Sequence, residues 1–324
     1  MKAPLLLAIL LISQQLSAFA DSATGAALSG PVLGYIFDRD AGGLRPLGGI
    51  PGAALLGGIV DAGVRLTAGA AAPGGRFVIG IDEDAQPVML VMDSGAMARR
   101  ALAGASAGVD RIALSPGATA AALFSSSGAW IEVVAGLPAE PKLSRRIDVS
   151  SLAFAPRMIA VSDDAAIVLA AGDGPSAPVW FDAAGGAHEF PLAAPSALSF
   201  RPRSHDAVFI DSAAGEISFA SGIGAAAEYS VLPGFDAVPS AVAAGFSADG
   251  PRFYIANRDG TIARFGLDGA APDTVSCGCT PEGLEPLGGS VFLLRQAAGG
   301  APLLVDGSGE TPRVLFVPPD GGDR

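Results

Sequence analysis

The chain has 324 residues with 20 Lys and Arg against 32 Asp and Glu, a net charge of −12. That balance excludes a nucleic-acid partner, because binding a phosphate backbone needs clustered Lys and Arg. Half of the residues are hydrophobic, enough for a sizeable core, but 44 glycines and 25 prolines exclude long helices and cut the apolar material into short pieces.

Taken in chain order, the first element is an export signal. Lys2 precedes an apolar run from Leu5 to Ile12, and small residues at Ala18 and Ala20 set up cleavage before Asp21. The run is shorter than the ~20 apolar residues that span a bilayer. A buried N-terminal helix is the competing reading, and it fits the length and flanks less well. No cysteine follows the cleavage site, so no lipid anchor is expected, and no later stretch reads as a membrane span. The expected product is periplasmic or extracellular, where an acidic surface aids solubility. Residues 21–30 read as a linker.

From residue 31 to 317 one grammar returns: a small or acidic turn, an apolar strand, a second turn, another strand. "PGGRFVIGIDED", "PGATAAALFSSSGAW", "SDDAAIVLAAGDG", "SHDAVFIDSAAGE", "FSADGPRFYIAN" and "GGSVFLLRQAAGG" centre on Val78, Leu123, Val168, Phe209, Tyr254 and Phe292, at spacings of 45, 45, 41, 45 and 38 residues. A period near 40 to 45 residues built from short strands predicts the blades of a β-propeller. The strand that follows recurs seven times, from "GYIFDRDAGG" to "PLLVDGSG". Its extra copy, around Ile36 to Asp38, predicts seven blades with the first incomplete, the chain joining partway through it. Six blades plus an N-terminal hairpin is the alternative. The long interval from Asp38 to Asp93 leaves room for a further strand around Ala53 to Leu56. Such sheets are apolar on both faces and must stack on neighbours. Residues 318–324 read as a flexible tail.

One copy carries a family resemblance. In "ADGPRFYIANRDGTIARFGLDG", Asp249, Gly250, Arg252, Tyr254, Ala256, Asn257, Gly260, Thr261, Ile262 and Asp268 fall where YVTN-type repeats place theirs. The segment therefore resembles the YVTN-type and WD-like repeat β-propellers. The resemblance implies an all-β propeller over residues 31–317. It implies no one activity, because this fold hosts enzymes, binders and scaffolds alike.

Candidate chemistry is sparse. His188 and His205 lie in different repeats and read as solvated turn residues. Asp38 with Asp40, Asp82 with Glu83 and Asp84, and Asp163 with Asp164 offer oxygen ligands of the kind calcium takes. None completes a calcium loop, and Asp in a turn is explained by bonding its own backbone. No cofactor is expected, calcium being the one ion these turns could hold. Cys277 and Cys279 are the only cysteines. In an oxidising compartment they are expected to pair across Gly278 and fix a turn between blades, with a redox-active or free thiol pair and half of a metal site as alternatives. No G-x-S-x-G, H-E-x-x-H or P-loop is present. "GDGPSAPVW" reads as a loop between second and third strands, and Trp130 and Trp180 as core residues of neighbouring blades. The expected function is a binding or scaffold module for a protein or extracellular ligand, alone or within a larger envelope assembly. The alternative is a metal-assisted lactonase-like or esterase-like hydrolase working in the axial funnel.

Overall fold

The computed structural model describes residues 30–320 apart from 94, 95, 234 and 297–299. The proposed export signal, most of the linker and residues 321–324 lie outside the described residues. Seven sheets follow one another along the chain. The first holds β1 (Val32–Asp38), β2 (Gly43–Gly48) and β3 (Leu55–Leu56). The second holds β4 (Leu66–Ala71), β5 (Phe77–Asp82), β6 (Pro87–Asp93) and β7 (Ala96–Ala101). The third holds β8 (Arg111–Leu114), β9 (Ala120–Ser125), β10 (Trp130–Ala135) and β11 (Lys142–Asp148), and the fourth β12 (Met158–Val161), β13 (Val168–Ala171), β14 (Val179–Phe181) and β15 (Ala187–Glu189). The fifth is built from β16 (Ala197–Phe200), β17 (Ala207–Asp211), β18 (Glu216–Ser221) and β19 (Glu228–Leu232). β20 (Ala241–Phe246), β21 (Arg252–Asn257), β22 (Thr261–Gly266) and β23 (Asp273–Ser276) make the sixth. The seventh comprises β24 (Pro281–Gly288), β25 (Val291–Gln296), β26 (Leu303–Asp306) and β27 (Arg313–Phe316). Neighbouring strands pair antiparallel within each sheet. This is a seven-bladed β-propeller, and the six-bladed alternative falls.

Burial explains why these sequences choose a ring. The second strands β5 and β9 are buried at every position, as are the four residues of β13, while the outer strands β15 and β19 are largely exposed. A strand covered on both faces reads as a continuous apolar run, without the alternation of a half-exposed sheet. The covering comes from adjacent blades: seven apolar clusters each join two consecutive blades, and one of them joins the seventh to the first. That last cluster sets Leu47 and Leu56 against Leu287, Leu293 and Leu304, and it is what makes the arrangement a closed circle.

The first blade departs from the expected register. "GYIFDRDAGG" was expected in a third-strand position, but β1 is the innermost strand of its sheet. It sits between the inner strands of blades seven and two: a Cβ on Gly34 would lie 2.6 Å from Leu287, and one on Gly69 would lie 3.4 Å from Phe37. Similar turn residues do not reveal which ring position a hairpin fills, because only packing distinguishes inner from outer strands. The short β3 matches the strand foreseen near Ala53 to Leu56. Its free edge is taken by the C-terminal segment, which pairs in parallel with it: Leu56 donates to the Pro318 carbonyl and Asp320 donates back to Leu56. Pairing thus continues three residues past the expected domain end at 317.

Candidate functional site

The inner strands of blades two to seven enclose an axial channel of about 780 Å³. Those of blades two to six, LTAGAA, RIAL, MIAV, ALSF and AVAAGF, are rich in Ala, Gly and aliphatic residues, so the bore is mostly apolar and remains open. At one mouth lie the turns that join each inner strand to its second strand. Several carry left-handed backbone, at Gly74, Ala118, Ala165, Arg203 and Gly250. Three of these are not glycine, and a residue with a Cβ adopts that region at a cost.

These turns hold hands around the mouth. Arg76 of blade two donates to the Gly117 carbonyl of blade three at 2.7 Å. Gly117 in turn donates its N–H to Asp163 Oδ1 of blade four at 2.6 Å, and Arg203 of blade five donates its N–H to Asp163 Oδ2 at 2.7 Å. Arg203 Nη2 reaches the Ala248 carbonyl of blade six at 3.0 Å, and the Ala248 N–H reaches Gly289 of blade seven at 2.7 Å. A girdle of backbone, Arg and Asp groups therefore links six blades in sequence.

Asp163 was a calcium candidate. Both of its carboxylate oxygens are spent on backbone N–H groups of the flanking blades, which is a stapling role.

The other candidates lie apart. Asp164 accepts from the Ser162 hydroxyl and the Ala166 N–H, and pairs with His205 Nε2 at 2.9 Å across the seam of blades four and five. Burial pushes the Asp164 carboxyl up, but those donors outweigh it and hold it below the usual carboxylate range. His188, on outer strand β15, stacks on Trp180 with ring centroids 4.0 Å apart and meets Asp182 at 3.1 Å. That contact leads the causes that lower the Asp182 carboxyl. Asp82 accepts from the Asp84 and Gln86 N–H groups and from Arg99, and Asp38 closes its own turn onto Ala41. Asp40 and Glu83 are turn neighbours of these, and Glu83 faces Arg65 at 3.3 Å. Among the described residues no three His, Cys, Asp or Glu side chains converge as a metal site.

Trp130 is buried in the layer between blades two and three, with Arg146 over its ring, whereas Trp180 is only half-buried. Cys277 and Cys279 are joined by a disulfide in the crossing from β23 to β24. It lies against the turn at Gly260, whose carbonyl accepts from the Cys277 N–H.

The charged pair that the channel does contain was missed from sequence. Glu285 on β24 and Arg295 on β25 face each other at 3.2 Å and line the channel. Glu285 is surrounded by protein yet keeps a third of its side chain accessible, because it faces the bore. Burial pushes its carboxyl up, opposed by the Arg295 charge. One signal could have found it: PEGLEPLG places an acid in the middle of a strand whose counterparts in blades two, four, five and six carry none.

The class defined by fold and channel is the seven-bladed β-propeller. Similar solved structures include a functionally unknown protein from Desulfotomaculum acetoxidans (TM-score 0.59, 14% identity, covering 90% of this chain and 100% of that one). A Bacteroides fragilis protein provisionally ascribed as a 6-phosphogluconolactonase is comparable (TM-score 0.58, 14% identity, 90% and 97% covered). So is a streptogramin B lyase (TM-score 0.54, 14% identity, 83% and 91% covered). At such identity the likeness shows the fold alone. No family model and no curated protein matches the chain.

Proposed function

We propose that the chain is an exported propeller of YVTN-like build that acts as a binding module and takes a small, largely apolar molecule into its axial channel. The observation that supports this is the channel itself, about 780 Å³ of bore walled by Ala, Gly, Leu and Ile from consecutive inner strands. A concave, mostly apolar site with few polar groups suits small ligands. The mouth's Asp163 is already spent on holding blades together, so recognition falls to the wall and to the few groups that face inward. Octan-1-ol is a suitable probe. Calorimetry is expected to show saturable binding to the purified protein, and Ala70→Phe, which fills the bore from β4 at a position outside the apolar clusters, is expected to abolish it without lowering the melting temperature. Binding unchanged by that plug would defeat the reading. Export is checked separately, by a mature N-terminus at Asp21.

A hydrolase reading has one observation in its favour: a carboxyl pushed up by burial inside a channel is the kind of group that transfers protons. The names carried by two of the similar folds, a lactonase and a lyase, lend it some support. On this reading Glu285 accepts a proton from water attacking a lactone carbonyl. Turnover of a lactone panel that disappears in Glu285→Gln would establish it in place of simple binding.

A further inference from the structure

The channel's charges differ in sign from the chain's. Arg76, Arg203 and Arg295 line the bore against Asp163 and Glu285, whereas the chain as a whole has 20 basic and 32 acidic residues. Both Asp163 oxygens are engaged by backbone N–H groups, which leaves Glu285 as the one acid with an open oxygen inside, set against three guanidinium groups. Arg76 and Arg203 are tied to neighbouring blades, whereas the one polar contact of Arg295 among the described residues is with Glu285. The strand of Arg295 pairs it with Gly283 on β24, and a Cβ at Gly283 would come within 2.9 Å of Arg295 Nε. The missing side chain is what lets the guanidinium lie across the inner strand toward the bore. Glu285 meets it on the Nε side at 3.2 Å, and neither Nη group has a hydrogen-bond acceptor among the described residues. More than half of the Arg295 side chain, 55%, is accessible. A guanidinium presents five donors in a planar fork, so this geometry leaves the outer edge of the fork open.

We propose, resting on the channel as a binding site, that its ligand is a small monocarboxylate whose head is taken by the outer edge of the Arg295 guanidinium and whose apolar tail lies along the bore. Glu285 is the positioning residue that fixes the guanidinium. The single unit of positive balance among the lining charges suits one negative charge better than two. The planar head matches the fork in bidentate fashion.

The test uses octanoate, octan-1-ol and octyl phosphate as probes of the full mature chain by calorimetry. Octanoate is expected to bind about tenfold or more tightly than octan-1-ol, as a charge-assisted contact provides, and more tightly than octyl phosphate. Arg295→Gln is expected to erase the preference for octanoate while octan-1-ol still binds. Glu285→Gln is expected to tighten octanoate several-fold, because the amide keeps the shape of the side chain beside Nε and the competing charge is gone. Damage to the fold would lower affinity instead, so the sign of that change separates positioning from structure. Equal affinities for octanoate and octan-1-ol, a preference that survives Arg295→Gln, or tighter binding of octyl phosphate would overturn the monocarboxylate and leave the channel reading standing. Failure of both octanoate and octan-1-ol to bind would remove the channel reading itself.

Discussion

The seam between blades six and seven and the seam between blades seven and one are built from different materials. At the first, Arg264 of β22, only 8% exposed, grips the turn after β26: its guanidinium donates to the carbonyls of Gly307, Gly309 and Glu310 and to the Asp273 carboxylate. Tyr254 adds its hydroxyl to Gly307. At the second, the apolar layer around Leu47, Leu56 and Leu293 is sealed by two backbone hydrogen bonds between Leu56 and the segment from Pro318 to Asp320. The comparison teaches that a ring need not be closed by its strongest joint. A seam made inside continuous sequence can accumulate buried polar contacts, while the closing seam relies on apolar area and a short parallel pairing.

The largest effect is expected where the polar clamp is cut. Arg264→Ala leaves three carbonyls and a carboxylate without their shared donor, and removing one partner of a buried charged network costs about 3 kcal/mol or more. Chemical denaturation should show that loss as a lower midpoint. A loss below about 1 kcal/mol would mean that the apolar layer holds this seam unaided, like its neighbour.

Ending the chain at Val317 probes the closing seam. It removes two backbone hydrogen bonds and uncovers Leu56, which is 6% exposed in the intact ring. The expected cost is about 2 kcal/mol, from roughly 1 kcal/mol per bond pair broken with the uncovered apolar surface added. Thermal melting should resolve it. If truncation costs more than Arg264→Ala, the ranking of the two seams is reversed.

How far these seams were legible in the sequence follows from what repeats. The second strands could be read, because positions such as Val78, Leu123 and Tyr254 are covered on both faces and must be apolar in every blade. The Cys277 and Cys279 pairing was legible because they are the sequence's two cysteines and stand two residues apart. The ring position of β1 was not, since inner and outer strands have similar turns and differ in what they touch. The girdle was not either: Asp163 reads as an ordinary turn acid, and only the approach of Gly117 and Arg203 from neighbouring blades gives it two partners at once. Glu285 and Arg295 escaped because they are 10 residues apart on consecutive strands, a separation with no motif attached to it.

The smallest effect concerns the turn that Arg264 grips, and it depends on pH. Asp306 shapes that turn: its Oδ1 accepts from the Ser308 N–H and hydroxyl, and its Oδ2 from Arg313. Burial pushes the Asp306 carboxyl up, but Ser308 and Arg313 outweigh it, so the folded value lies below the ordinary carboxylate value. A depressed value means that the ionised form stabilises the fold. That contribution is present above the unfolded value, near pH 4, and is lost as pH falls through the lower folded value. Asp306→Asn keeps an acceptor for Ser308 and gives up the charge toward Arg313, at an expected cost of about 1 kcal/mol at neutral pH. Denaturation midpoints of the two proteins should therefore converge as the solution is acidified below about pH 4. A gap that stayed constant down to that range would show that the Asp306 charge does not hold the turn, and that the Arg264 clamp closes on a loop shaped by its backbone alone.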